Sequence, residues 1–366
     1  MIPISDLRRQ YRGLKKEIDL ALGRVFDSSW FILGEQGEKF EKEFAAYNGS
    51  GYAIGVGSGT EAIHLALVAA GIKPGDEVIT VPNTAVFTVS AITFSGAKPV
   101  FVDIDDKYFL MDPAKIEKAV TKKTKVIIPV HLYGQCADME AIMKIARKYG
   151  LTVIEDACQA HGARYKGKNS GATGDFGAFS FYPSKNLGCY GDGGMITTNS
   201  AVMARKLKML RNGGQEKRYY HKIKGFNSRL DELQASILRV KLKYLDTWNE
   251  ARRRSAQYYD RHITNENIIK PSQAPGRRHV YHLYVVRSAD RDGLAQYLKN
   301  KGIQTLIHYP LPVHLQEAYA DLRVKKGQLK TAESLAKQIL SLPMFPEISE
   351  KELKAVCAAV NNYKRR

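Results

Sequence analysis

The chain has 366 residues, 44% of them hydrophobic and 25% charged, the ordinary mix of a folded protein with two or three domains. That composition excludes a mainly disordered chain, and the longest apolar stretch, Ile63 to Ile72, is too short to span a bilayer and is broken by His64 and Gly71. The net charge of +19, from 56 Lys and Arg against 37 Asp and Glu, leaves three kinds of partner open: nucleic acid, an acidic surface or a phosphorylated small molecule.

The opening segment MIPISDLRRQYRG has no apolar core and no small-residue cleavage site, so no secretory signal is expected. From Tyr52 to Thr198 short β-branched runs alternate with amphipathic stretches. The runs are AIGVG, EVITV, KPVFVDI, KVIIPVHLYG, TVIEDA, GAFSFY and GMITT, and the helical stretches include EAIHLALVAAG and DMEAIMKIARKYG. In the second helix Ile142, Ile145 and Ala146 share a face, and Gly150 ends it. This alternation predicts an α/β layer around a mostly parallel sheet, with a mixed portion where GAFSFY and GMITT lie close together.

After Ser228 the texture changes. Leu230, Leu233, Ile237, Val240 and Leu245 fall at helical spacing, and the stretch from Arg229 to His262 reads as one long helix. HVYHLYVVRS then reads as a strand and RDGLAQYLKNKGI as a helix. The expected organisation is a large α/β domain over residues 1–244 and a smaller α+β domain over 245–366. Cys136, Cys158, Cys189 and Cys357 are scattered without a CxxC pair, so neither a metal site nor a disulfide framework is expected, and a reducing cytoplasm fits.

The densest basic piece is RNGGQEKRYYHKIK, Arg211 to Lys224, with five Lys or Arg against one Glu and two adjacent tyrosines. No nucleic-acid recognition motif accompanies it.

Three segments carry chemistry. In AIGVGSGTEAIHLA a strand enters a glycine-rich turn and a helix leaves it, which suits a phosphate at the helix N-terminus. It is neither a GxGxxG fingerprint nor a P-loop, and turns of this kind also occur without a ligand. In TVIEDACQAHGA an apolar strand delivers Glu155 and Asp156 to its C-terminal end, where a carboxylate can stabilise a protonated heterocycle or simply cap the next helix. In GAFSFYPSKNLG, Lys185 sits among aromatic, proline and small residues that would lower its pKa and free its amine for a Schiff base, although most lysines are surface lysines. A phosphate cradle, a carboxylate and an amine are together what pyridoxal phosphate requires, and Asp156 and Lys185 lie 29 residues apart on neighbouring strand–loop units.

GSGTEAI, VIEDACQAHGA, SFYPSKNLG, YGDGGMITT and GFNSRLDELQA together resemble the pyridoxal-phosphate-dependent sugar aminotransferases of the DegT/DnrJ/EryC1/StrS family, from ISDLRRQY to IHYPLPVHLQEAY. The resemblance implies an aspartate-aminotransferase-like, fold-type I architecture. It implies that Lys185 holds the cofactor covalently and shuttles the proton, that Asp156 pairs with the pyridinium nitrogen, and that Gln159 bonds the ring hydroxyl. Gly59, Thr60 and Ser180 would hold the phosphate. Asn227 would reach the cofactor of a second subunit, so a homodimer with shared sites is implied. Tyr219, Arg229, His308, Tyr309 and His314 match positions on the sugar side, and SSWFILG resembles a substrate-contact segment in which Trp30 and Phe31 could equally be core anchors.

One departure stands out. The family places a ring-stacking aromatic three positions before the threonine of VPNTAVFTVSAI, but here that position is Ala85. Phe87 lies two residues later, turned roughly 200° away if the segment is helical, and is expected in the core. The implied reaction transfers an amino group from L-glutamate to C3 or C4 of a nucleotide-linked, dTDP-type keto-deoxysugar. Alternatives are a keto-cyclitol aminotransferase of the same family and a non-catalytic DNA-binding regulator. A dehydratase of the same fold, with histidine for the lysine, is opposed by Lys185.

Overall fold

The computed structural model describes residues 1–364. Eleven helices of seven residues or more order the described chain. They are α1 (Leu7–Ser28), α2 (Glu35–Asn48), α3 (Gly59–Ala69), α4 (Val86–Phe94), α5 (Met139–Tyr149), α6 (Ala201–Leu210), α7 (Glu232–Leu242), α8 (Leu245–His262), α9 (Arg291–Asn300), α10 (Lys330–Ala336) and α11 (Glu350–Asn362). The central sheet has seven strands: β1 (Tyr52–Val56), β2 (Glu77–Thr80), β3 (Lys98–Phe101), β4 (Thr124–Ile127), β5 (Thr152–Asp156), β6 (Phe176–Ser180) and β7 (Gly194–Thr198). Their order is β1-β7-β6-β5-β4-β2-β3. Only β7 runs against its neighbours, so the sheet is mixed and mostly parallel.

The β-branched runs form these strands because each buries both faces. Adjacent residues go to opposite layers: Ile79, Ile127 and Val153 pack with Phe40, Phe44 and Ile142, whereas Val78, Val126 and Ile154 pack with Ala62, Ile63 and Leu207. α5 follows its sequence pattern, with Ile142, Ile145 and Ala146 buried and Gly150 ending it in the left-handed region at φ 64°.

The long helix expected from 229 to 262 is two helices. α7 ends at Leu242 and α8 starts at Leu245, with Lys243 and Tyr244 between them. No proline or glycine marks the break, and apolar spacing runs through it, so the interruption belongs to packing and not to local propensity. Beyond it, β8 (Ile268–Ile269), β9 (Tyr284–Ser288) and β10 (Ile339–Leu342) make a small antiparallel sheet. A separate core of Tyr259, Tyr284, Leu294, Leu340 and Val356 joins α8, β9, α9, β10 and α11. The chain's first residues pack here too, with Ile2 N–H bonded to Gly302 O at 2.7 Å. No helix of the described residues is long and apolar enough to cross a membrane.

Candidate active site

The C-terminal ends of β5 and β6 and the start of α3 meet at one edge of the sheet. Asp156 is the last residue of β5, Ser180 the last of β6, and Gly59 the first of α3. Such an edge is where open α/β sheets bind ligands, because loops diverge there and helix N-termini point into the gap.

α3 starts there because Ser58 caps it, its hydroxyl accepting from Glu61 N–H at 3.2 Å. Gly59 is required at the first turn. A Cβ on it would lie 2.7 Å from Ser180 Cβ and 2.9 Å from Cys158 Sγ, so the backbone amides can approach a ligand closely only without one. Thr60, the next residue, is half-buried. The serine of the GFNSR segment ties in behind: Ser228 Oγ donates to Glu61 at 2.7 Å and accepts from Gly57 N–H at 3.1 Å.

Glu155 and Asp156, adjacent on β5, face opposite ways and have different jobs. Glu155 is buried and accepts from the amides of Gly171, Thr173 and Gly174 and from His131 Nε2 at 2.7 Å. His131 Nδ1 accepts from Ala137 N–H, which leaves the proton on Nε2. Burial alone would raise the Glu155 pKa, but His131 and these amides overcome it and hold the carboxylate below its ordinary range. Glu155 is thus consumed by the fold. Asp156 turns to the cleft: Oδ2 accepts from Thr88 Oγ1 at 2.7 Å and Oδ1 from Cys158 N–H at 3.1 Å. The turn after β5 is not a helix, so Asp156 is no helix cap.

Lys185 sits in the loop after β6, its backbone N–H bonded to Tyr182 O. Burial lowers the pKa of its amine, with Cys158 and Asp156 opposing only in part. Three imidazoles, His161 and His282 buried and His308 half-buried, stand close enough to feel it. His161 is pushed down to about 3, His308 to about 4, and His282 well below its ordinary value, each mainly by desolvation and secondarily by Lys185. The site therefore keeps its histidines neutral around one amine. His161 and His282 gave no signal of this in the sequence, where each is one histidine among apolar neighbours.

Gln159 is buried, and its Oε1 accepts from Tyr133 N–H at 2.8 Å while Nε2 lies 3.3 Å from Tyr309 OH. Burial, and then the Asp156 charge, push the Tyr309 hydroxyl up to about 12, so it stays protonated. His308 Nδ1 bonds Ser341 Oγ at 2.8 Å. These four (Asp156, Gln159, Lys185, Tyr309) are brought together.

Others lie apart. His314 is 3% exposed, with Nε2 bonded to Glu333 at 3.2 Å, a buried structural contact. Asn227 is exposed and pairs through the backbone with Asn212. Tyr219 and Tyr220 stand exposed on a short hairpin, Gln215–Lys217 with Tyr220–His221. Arg229 lies beside that hairpin in a groove of about 740 Å³ shared with Trp30, Phe31 and Lys217. Trp30 and Phe31 are therefore not core anchors; Trp30 is 63% exposed. Phe87 is not core either. It projects from the first turn of α4 with 60% of its surface exposed, while Thr88, one residue on, turns inward to Asp156.

The residues present fit pyridoxal phosphate: an amine whose pKa burial lowers, an anchored carboxylate and a glycine-floored helix N-terminus open onto one cleft. Comparison with known proteins agrees. The sequence profile of the DegT/DnrJ/EryC1/StrS aminotransferase family matches residues 13–361. The chain belongs to that family. It is an aminotransferase.

A curated relative from Geobacillus stearothermophilus, named a pleiotropic regulatory protein, is 51% identical over 100% of this chain and 99% of its own. The dTDP-3-amino-3,4,6-trideoxy-alpha-D-glucose transaminase of Streptomyces venezuelae is 46% identical over 100% of this chain and 97% of its own. The crystal structure of Streptomyces venezuelae DesV in complex with a ketimine intermediate superposes with a TM-score of 0.97 at 46% identity, covering 98% of this chain and 97% of that one. Further family structures hold the cofactor as PLP or as PMP.

Proposed function

We propose that this aminotransferase converts a keto carbon of a nucleotide-linked keto-deoxysugar into an amine, with L-glutamate as donor. The observation that carries the chemistry is the buried, pKa-lowered Lys185 amine in the same cleft as the Thr88-anchored Asp156 carboxylate. Pyridoxal 5′-phosphate is the cofactor, and when bound it supplies an electrophilic carbonyl and an electron-withdrawing ring.

The chain's own residues do the rest. Lys185 Nζ would hold the cofactor covalently and, once released as a free amine, would carry the proton between the substrate carbon that exchanges nitrogen and the cofactor's C4′ carbon. Burial lowers its pKa, which favours the free amine that task requires. The Asp156 carboxylate, fixed by Thr88 and by Cys158 N–H, holds a positive charge on the ring nitrogen. Gln159, oriented by Tyr133 N–H, offers its amide to the ring hydroxyl. Gly59, Thr60 and Ser180 take the phosphate at the α3 N-terminus. His308 and Tyr309 line the sugar side.

The product name of the Streptomyces venezuelae relative favours C3 amination of a dTDP-linked sugar. Its diphosphate suits the groove where Lys217 and Arg229 meet Trp30. We read the enzyme as a homodimer: Trp30, Tyr182, Phe87 and Tyr219 are large apolar side chains left exposed, of the kind a second copy would cover, with Asn227 reaching its site. Residues 1–244 then form the cofactor domain and 245–366 the smaller one, and the basic composition serves a phosphorylated substrate.

Borohydride reduction of the purified yellow protein followed by peptide mapping tests this reading. Label on Lys185, lost in Lys185→Ala, is the expected result. An unlabelled Lys185 overturns it. Turnover with dTDP-linked 3-keto sugar and glutamate then identifies the substrate class.

A further inference from the structure

Lys241, on α7, has 0% exposure and, among the described residues, no carboxylate within bonding distance. A buried ammonium without a counter-ion is expensive, so its presence calls for a function. Its Nζ donates to the carbonyl of Gly188 at 2.6 Å and lies 3.8 Å from the centre of the Tyr190 ring.

Gly188 and Tyr190 belong to the loop that carries Lys185. The loop is closed at its base by Cys189 N–H bonded to Phe181 O at 2.8 Å. It is packed tightly inside: a Cβ on Gly188 would lie 2.4 Å from Pro183 O, so only glycine fits at that position. From outside, three side chains grip it. Gln234 of α7 accepts from Tyr190 N–H at 2.9 Å. Lys241, seven residues and two turns further along the same face of α7, takes Gly188 O. Asn249 of α8 accepts from Asn186 Nδ2 at 2.8 Å, and the same amide donates to Val280 O. The grips on either side of Lys185's neighbours thus come from helices that flank the α7–α8 break.

We propose that Lys241 is a positioning residue for Lys185, clamping the Gly188 carbonyl so that the 186–190 limb presents the Lys185 amine to the cleft in one orientation. The proposal deepens the functional reading and rests on Lys185 being the cofactor-binding amine. Burial brings Lys241 down to about 7, with Cys189 and Glu347 opposing; these two and Tyr190 are the titratable groups that face it. Either protonation state retains an N–H for Gly188, so the clamp holds across that pH.

The test uses full-length cofactor-free protein, wild type and Lys241→Met, with pyridoxal phosphate as the probe. Two readouts are taken: the rate at which borohydride traps the cofactor on Lys185, and amide hydrogen exchange over residues 186–190. Loss of orientation should slow trapping about tenfold to a hundredfold, and speed exchange at these amides alone. The pH midpoint of the bound cofactor's visible band should move as well, which a general loss of stability would not cause. If the Met variant does not fold, Lys241→Gln, too short to reach Gly188, enters the same comparison. Trapping and local exchange equal to wild type in a folded variant overturn the proposal. Failure of wild-type Lys185 to trap at all would instead overturn the functional reading beneath it.

Discussion

The hydroxyl of Thr88, in the first turn of α4, donates to Oδ2 of Asp156 across 2.7 Å, and Thr84 Oγ1 lies 2.8 Å behind it. This short relay fixes the carboxylate that faces the cleft. A hydrogen bond to a charged group contributes about 1.5–3 kcal/mol. Thr88→Val, similar in volume, should therefore weaken pyridoxal phosphate binding by roughly ten- to a hundredfold. Thr88→Ser should stay close to wild type. Fluorescence titration of cofactor-free protein measures both, and a Val variant that binds as tightly as wild type would show that Asp156 needs no anchor.

Much of this site could be read before any coordinates. The strand that delivers Asp156, the glycine-floored α3 and the aromatic setting of Lys185 are local patterns with local causes, and each sits where its motif predicts. What escaped is what the three-dimensional context decides. Lys241 reads as an ordinary charged position on a surface helix, since nothing local says that its face meets the Lys185 loop. The break between Leu242 and Leu245 has no breaker residue, so continuous apolar spacing there masks two helices. Helical spacing from Ala85 turns Phe87 away from the ring and so predicts it in the core, yet α4 starts at Val86 and points it outward, giving the inward position to Thr88.

Gly59 should be intolerant of the smallest change. A methyl group there meets Ser180 Cβ at 2.7 Å and Cys158 Sγ at 2.9 Å, closer than carbon or sulfur contacts allow. Gly59→Ala should destabilise the cofactor-free fold by about 1–3 kcal/mol, as overpacked sites do. It should also weaken binding of pyridoxal phosphate more than that of pyridoxal, because the phosphate end is the one displaced. Calorimetric titration with both ligands reads the difference; equal losses for the two would move the phosphate away from α3.

Burial of neutral His161 should make the enzyme acid-labile. Its native pKa is pushed down to about 3 by burial, against an ordinary value near 6.5, so between these pH values the unfolded chain binds a proton that the native one refuses. Stability is then complete above about pH 6.5 and falls as pH drops, by roughly 1.4 kcal/mol per pH unit for one such group. His161→Phe, placed beside the rings of Phe179 and Phe181, removes that proton. Urea unfolding of wild type and variant at stepped pH from neutral toward acid should give curves that converge at neutral pH in slope and separate below it. Parallel acid slopes would mean that His161 is charged in the native protein.

Sharing of sites between subunits makes a quantitative demand. Asn227 is exposed and bridges to Asn212 through the backbone, so the proposed part for it at the cofactor of a second copy can be tested by mixing subunits. Lys185→Ala and Asn227→Ala should each be inactive alone. In a random mixture half the dimers are hybrids, and in each hybrid one site receives both defects while the other is intact, so about a quarter of wild-type activity should return. Activity that stays at the level of the separate variants after subunit exchange, verified by mass measurement of the hybrid, would place Asn227 in the service of its own chain.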